Sequence, residues 1–96
     1  MAVSAITDND IINYLNEDAD NLTQEDINFL HQCMLIAKEY ILDYTGQTDI
    51  DAKEVFVIAF YVLIQDMWDN RTLYPESTDV NELIANCLGM HSLNLL

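Results

Sequence analysis

Asp51-Ala52-Lys53-Glu54-Val55-Phe56-Val57-Ile58-Ala59-Phe60-Tyr61-Val62-Leu63-Ile64-Gln65-Asp66-Met67-Trp68-Asp69-Asn70-Arg71 is the stretch whose reading decides the fold. From Val55 to Ile64 ten consecutive residues are apolar, many of them β-branched or aromatic, which is also the composition of a buried strand. The run exceeds the usual strand of about 5–6 residues. Its flanks, Asp51 to Glu54 and Gln65 to Asp69, are helix-compatible, and no second run of this kind exists to pair with it. The segment is therefore read as a helix, opened by Thr48 or Asp49. A helix that is apolar all round must be enclosed all round. A small domain buries only a modest share of its surface, so neighbouring subunits are the expected enclosure.

The preceding segment carries the clearest helix signals. Thr23 is a capping residue with Asp26 three positions on, and Glu25 and Asp26 lie where the helix dipole favours negative charge. Ile27, Leu30, Met34, Ala37, Ile41 and Tyr44 recur in steps of three and four, the seam of a helix packed on another helix. Phe29, Cys33, Ile36 and Tyr40 form a second stripe beside the first. Together they make a face wider than one intramolecular partner needs, to be filled by core or by a neighbouring copy. Gly46 is the residue suited to a left-handed stop.

Working outward again, Thr7 with Asp10 opens a short helix whose apolar face is Ile11, Ile12, Tyr14 and Leu15. Beyond Arg71, Pro75 bars continuation. Asp79 with Glu82 then begins a last short helix with Val80, Leu83, Ile84, Cys87 and Leu88 on one face, ending at Gly89. The expected architecture is all-α, a single domain over 1–96: about four helices, one short, two long and one short. Residues 1–6 and an extended C-terminal tail, 90–96, are expected as flexible or partner-docked ends.

Composition sets what such a bundle can bind. Seventeen acids against three Lys or Arg give a formal charge of −14, yet 51% of residues are hydrophobic, too many for a disordered acidic tail. Three cations cannot replace the counterions of a nucleic-acid backbone or hold an anionic membrane surface. Ten apolar residues fall short of the roughly 20 that span a bilayer, so no transmembrane segment is expected. The opening Met1 to Asp8 lacks the basic and apolar regions of a secretory signal, which leads to an expected intracellular site of synthesis.

No constellation for catalysis or cofactor binding stands out. Cys33, Cys87, His31 and His91 are not the close pairs of a structural zinc site, and the two cysteines read as reduced, buried or half-buried thiols. Asp18-Ala19-Asp20-Asn21 and Asp49-Ile50-Asp51 offer oxygens at alternate positions without the central glycine of a calcium loop. His31 and Cys33, two apart on a helix, point to different faces, so they form no nucleophile–base pair. Glycine-rich phosphate loops, serine elbows and the HExxH pattern are absent from the sequence. The chain is expected to be no enzyme and to need no cofactor or metal.

The order of a long helix ending in Ile41-Leu42-Asp43-Tyr44-Thr45-Gly46, a short linker, a very apolar helix, and Asp66-Met67-Trp68-Asp69-Asn70-Arg71 resembles the small head-tail connector, or adaptor, proteins of tailed bacteriophages. The resemblance covers about residues 7 to 89. Tyr44-Thr45-Gly46 and Trp68-Asp69-Asn70-Arg71 stand where that family carries similar helix endings. The C-terminus departs from the family, closing on Leu93 to Leu96 rather than on a basic residue. The resemblance implies an all-α structural virion protein, assembled in the host cytoplasm. It would form a homo-oligomeric ring, twelvefold or near it, below the portal. It would extend the DNA channel toward the tail without sequence-specific DNA binding. The implied partners are further copies of itself, the portal protein and the next tail or stopper component.

Two other readings compete: an acidic DNA mimic or regulator acting on a basic partner, and a generic helical interaction module. For a connector, the expected subunit contacts are Trp68, Arg71 and Tyr74, because aromatics and Arg anchor interfaces and Trp68 and Arg71 share a helix face. The alternative is that Trp68 is core and Arg71 pairs with an acid of its own subunit, such as Asp69 or Glu76. Met90, Leu93, Leu95 and Leu96 are the expected docking tail, too apolar to prefer water and too few to form a core.

Overall fold

The computed structural model describes residues 2–73, and within them the chain is helical with no strand. A 3-10 turn, Val3–Ala5, leads into α1, Asp8–Tyr14. A second 3-10 turn, Ala19–Asn21, precedes the two long helices, α2 at Gln24–Thr45 and α3 at Val55–Asn70. The expected last helix at 79–89 and the tail at 90–96 lie outside the described residues.

Local chemistry sets the first two helix starts. At both Thr7 and Thr23 the threonine side chain accepts the amide of the aspartate three residues on, and that aspartate accepts the threonine amide in return. These reciprocal caps satisfy two orphan donors each. α2 ends at Gly46, whose φ of 72° lies in the left-handed region. Thr45 secures the exit: its hydroxyl donates to the Ile41 carbonyl at 2.7 Å and accepts the Gln47 amide at 3.3 Å.

α2 and α3 are joined by a short loop and pack antiparallel, Phe29 near the start of α2 meeting Trp68 near the end of α3 at 6.1 Å between rings. The buried line of α2 is Leu30, Cys33, Ala37 and Ile41, drawn from both expected stripes. Ile27, Met34, Phe29, Ile36 and Tyr40 flank it partly buried, and Tyr44, in phase with the seam, is exposed. Against that line α3 sets Phe56, Ala59, Phe60, Leu63, Ile64 and Met67, with Ile11 and Ile12 of α1 completing the core.

Two expectations change. The apolar helix starts at Val55 rather than at Thr48 or Asp49, because the Asp49 carboxylate accepts the Asp51 amide at 2.9 Å and holds residues 49–52 in a turn. The N-terminal end is not loose from residue 3 onward: Val3 and Ile6 are core residues. The Ser4 amide and hydroxyl both donate to the Asp51 carboxylate. Among the described residues α3 is covered on one side: Ile58 is 54% exposed and Val55, Val57, Tyr61 and Val62 are half-buried, on the side that the sequence reading assigns to neighbouring subunits.

Candidate functional site

The end of α3 holds two of the residues that sequence singled out, Trp68 and Arg71, and both make contacts inside the subunit. Trp68 is buried. Arg71 takes a left-handed conformation, φ 53°, and closes the helix: its amide reaches the Met67 and Trp68 carbonyls, and the Thr72 amide donates to Met67 at 3.1 Å. This is the helix-ending turn usually built on glycine. The guanidinium then lies 4.2 Å over the Trp68 ring and 5.5 Å from the Phe29 ring, with Nη1 3.2 Å from Asp26 Oδ1. The partner among the described residues is Asp26, at the start of α2, an acid of the same subunit but not Asp69, and Glu76 lies outside the described residues.

Asp26 serves two contacts at once. The Thr23 amide, first, then the Arg71 guanidinium and the Thr23 hydroxyl hold its carboxyl below the ordinary aspartate range against the opposing effect of burial. Asn70 turns back, donating to the Asp66 carbonyl at 3.0 Å and to Asp66 Oδ1 at 3.1 Å. Asp66 is the buried carboxylate of this end of the bundle. Of the expected interface residues, then, Trp68 is core, Arg71 is a half-exposed cap, and Tyr74 lies outside the described residues. The docking residues Met90, Leu93, Leu95 and Leu96 lie outside them too.

A second feature is the outward side of α3. Ile58, Tyr61, Val62 and Gln65 recur at helical spacing and form one uncharged strip. At its edge Tyr14 of α1 stacks on Tyr61 at 4.6 Å between rings and donates its hydroxyl to Gln65 Oε1 at 3.1 Å. Burial, with the Asp10 and Tyr14 charges behind it, pushes the Tyr61 hydroxyl above the ordinary phenol value. α2 offers a sparser outer surface, with Leu35 at 62% exposure and Tyr44 stacked on Tyr40. Sequence reasoning missed the α3 strip because an unbroken apolar run carries no marker for the side left open.

The remaining candidates resolve locally. Cys33 is a free thiol in the core, and loss of solvent pushes its pKa up to about 11. His31 points outward and pairs with Asp8 at 2.7 Å. Asp18 accepts the Asp20 amide and the Asn21 side chain, capping its 3-10 turn. Among the described residues no cleft or cavity opens, no group of three or more His, Cys, Asp or Glu converges, and no helix is long and apolar enough to cross a membrane. No protein-family model, curated protein or solved structure matches this chain.

Proposed function

We propose that the chain is a structural assembly subunit, a head-tail connector of the tailed-phage kind that builds a ring below the portal and carries the DNA channel toward the tail. The observation that carries the reading is the agreement of two helix endings with the resemblance. Tyr44-Thr45-Gly46 stops α2 through a threonine back-bond and a left-handed glycine, and Trp68-Asp69-Asn70-Arg71 stops α3 through a stacked, left-handed arginine. Both motifs thus have a physical role at the places where the resemblance puts them. A charge of −14 suits a channel wall, which must not grip passing DNA.

In this reading the exposed side of Arg71, supported from beneath by Trp68, meets a neighbouring subunit together with Tyr74. Residues 79–89 add a fourth helix. Met90, Leu93, Leu95 and Leu96 dock on the portal or the next ring component, and the assembled protein resides in the virion. The test is the mass of the purified full chain across a dilution series, by light scattering and native mass spectrometry. A closed ring gives a discrete mass many times 11.0 kDa. A monomer or dimer at every concentration, with tight binding to a basic protein, would favour the acidic-mimic reading instead.

A further inference from the structure

We infer that the flank of α2 carrying Tyr40, Asp43 and Tyr44 is a docking site for an arginine side chain of a basic partner protein. The inference does not rest on ring formation, since a monomer and a ring subunit carry the same flank. Its precedent lies on the same helix. Arg71 is held by a carboxylate and an aromatic ring three residues apart on α2, Asp26 and Phe29, with Trp68 of α3 adding a second ring 4.2 Å from the guanidinium. The combination suits a guanidinium because ring faces attract its charge while the carboxylate accepts from its N–H groups.

Tyr40 and Asp43 repeat that spacing of three with the aromatic residue first. Asp26 and Tyr40 lie fourteen positions apart, as do Phe29 and Asp43, which is about four turns of an α-helix, so all four stand on one flank of α2. The second ring comes from Tyr44. It stacks nearly parallel on Tyr40, at 6.2 Å between centroids and 11° between planes, and is 43% exposed. Asp43 is exposed beside this pair and, unlike Asp26, has no hydrogen-bond or ion-pair partner among the described residues. The second set of groups thus repeats the first without the guanidinium.

Charge decides the occupant. Among the described residues, Lys38 lies near Asp51 and Arg71 is the cation found over a ring, while residues 74–96 contain neither Lys nor Arg. The chain's one arginine is therefore already engaged, and a second copy would bring another −14 with its own arginine likewise held. A basic protein is drawn in by that same charge. Its arginines then meet two ring faces and a free carboxylate, a set that favours a planar guanidinium over the compact, strongly hydrated ammonium of lysine.

Titration of the isotope-labelled full chain with a capped peptide of alternating glycine and arginine, followed by two-dimensional NMR at physiological salt, tests the site. The expected result is a saturable shift of the Tyr40 and Tyr44 ring signals and of the Asp43 amide, with the lysine counterpart of the peptide binding more weakly. Tyr44→Ala removes an exposed ring and should weaken the arginine peptide by about two- to fivefold while the far-ultraviolet helix signal is retained. Tyr44→Phe keeps the ring and should bind as the unsubstituted chain does. Shifts spread over the acidic surface, equal for arginine and lysine and unchanged by Tyr44→Ala, would be attraction by net charge alone and would overturn the proposal. Ring signals of Tyr40 and Tyr44 that stay fixed throughout the titration overturn it as well, without any substitution.

Discussion

Asp51 shows how a single exposed side chain fixes distant chain segments. It accepts both the amide and the hydroxyl of Ser4, 47 positions away, and so fastens the N-terminal turn that carries Val3 into the core. The Ser4 hydroxyl first, then the Ser4 amide, hold its carboxyl below the ordinary aspartate range, with Lys38 helping from nearby. A carboxyl lowered on folding contributes stability that is complete above its unfolded value, about 3.9, and disappears as pH falls through the folded value. Asp51→Asn should therefore melt below the unsubstituted protein at neutral pH, and the gap should narrow once pH drops below about 4. Melting curves of the two proteins between pH 7 and pH 3 check this, and a gap independent of pH would show that the charge has no part in the fastening. None of this was legible in the sequence, in which residues 1–6 read as a flexible or partner-docked end. A contact across 47 positions leaves no periodicity, and Ser4 beside Ala5 resembles any polar terminus.

The helices themselves divide by how local their determinants are. Thr7 with Asp10 and Thr23 with Asp26 were readable because a capping box is complete within four residues, and Gly46 because one residue suffices for a left-handed stop. The start of α3 was misplaced because Asp49 closes a turn that competes with helix entry, whereas its stop at Arg71 was read correctly although an arginine, not a glycine, occupies the left-handed position. That position costs about 1 kcal/mol for a residue with a Cβ. The offset comes from the guanidinium lying over Trp68 and beside Phe29, worth about 0.5–1 kcal/mol at an exposed site, together with the Asp26 pair. Two substitutions separate these contributions. Arg71→Ala keeps the backbone cost and loses the stack, so its melting temperature should fall while the far-ultraviolet helix signal is retained. Arg71→Gly loses the same stack but removes the backbone cost, so it should melt above Arg71→Ala. The reverse order would mean that the side chain's contacts do not govern this stop. The ion pair itself was half legible: an intramolecular acid was among the expected partners of Arg71, but Asp26 lies on another helix, where only packing could bring it.

For the whole molecule the governing quantity is charge. Any assembly of this chain brings together bodies of −14, and cations to bridge them are scarce: Arg71 is engaged with Asp26 in its own subunit, and Lys38 lies near Asp51. Association must then rest on apolar contact, with long-range repulsion opposing it. Exposed apolar residues such as Leu35 and Tyr44 on α2 and Ile58 on α3 are available for such contact. Salt acts on the two contributions unequally. It shortens the range of repulsion from about 30 Å at 0.01 M to about 8 Å at 0.15 M, and it leaves apolar burial almost unchanged over that interval. Raising ionic strength should thus shift the purified protein toward its assembled form and raise the rate of association, with most of the change complete by physiological salt. Sedimentation velocity at fixed protein concentration across that range measures both the fraction assembled and its mass. Assemblies that dissociate as salt rises would instead require specific ion pairs between subunits, and Lys38 and Lys53 would then be the residues to replace first.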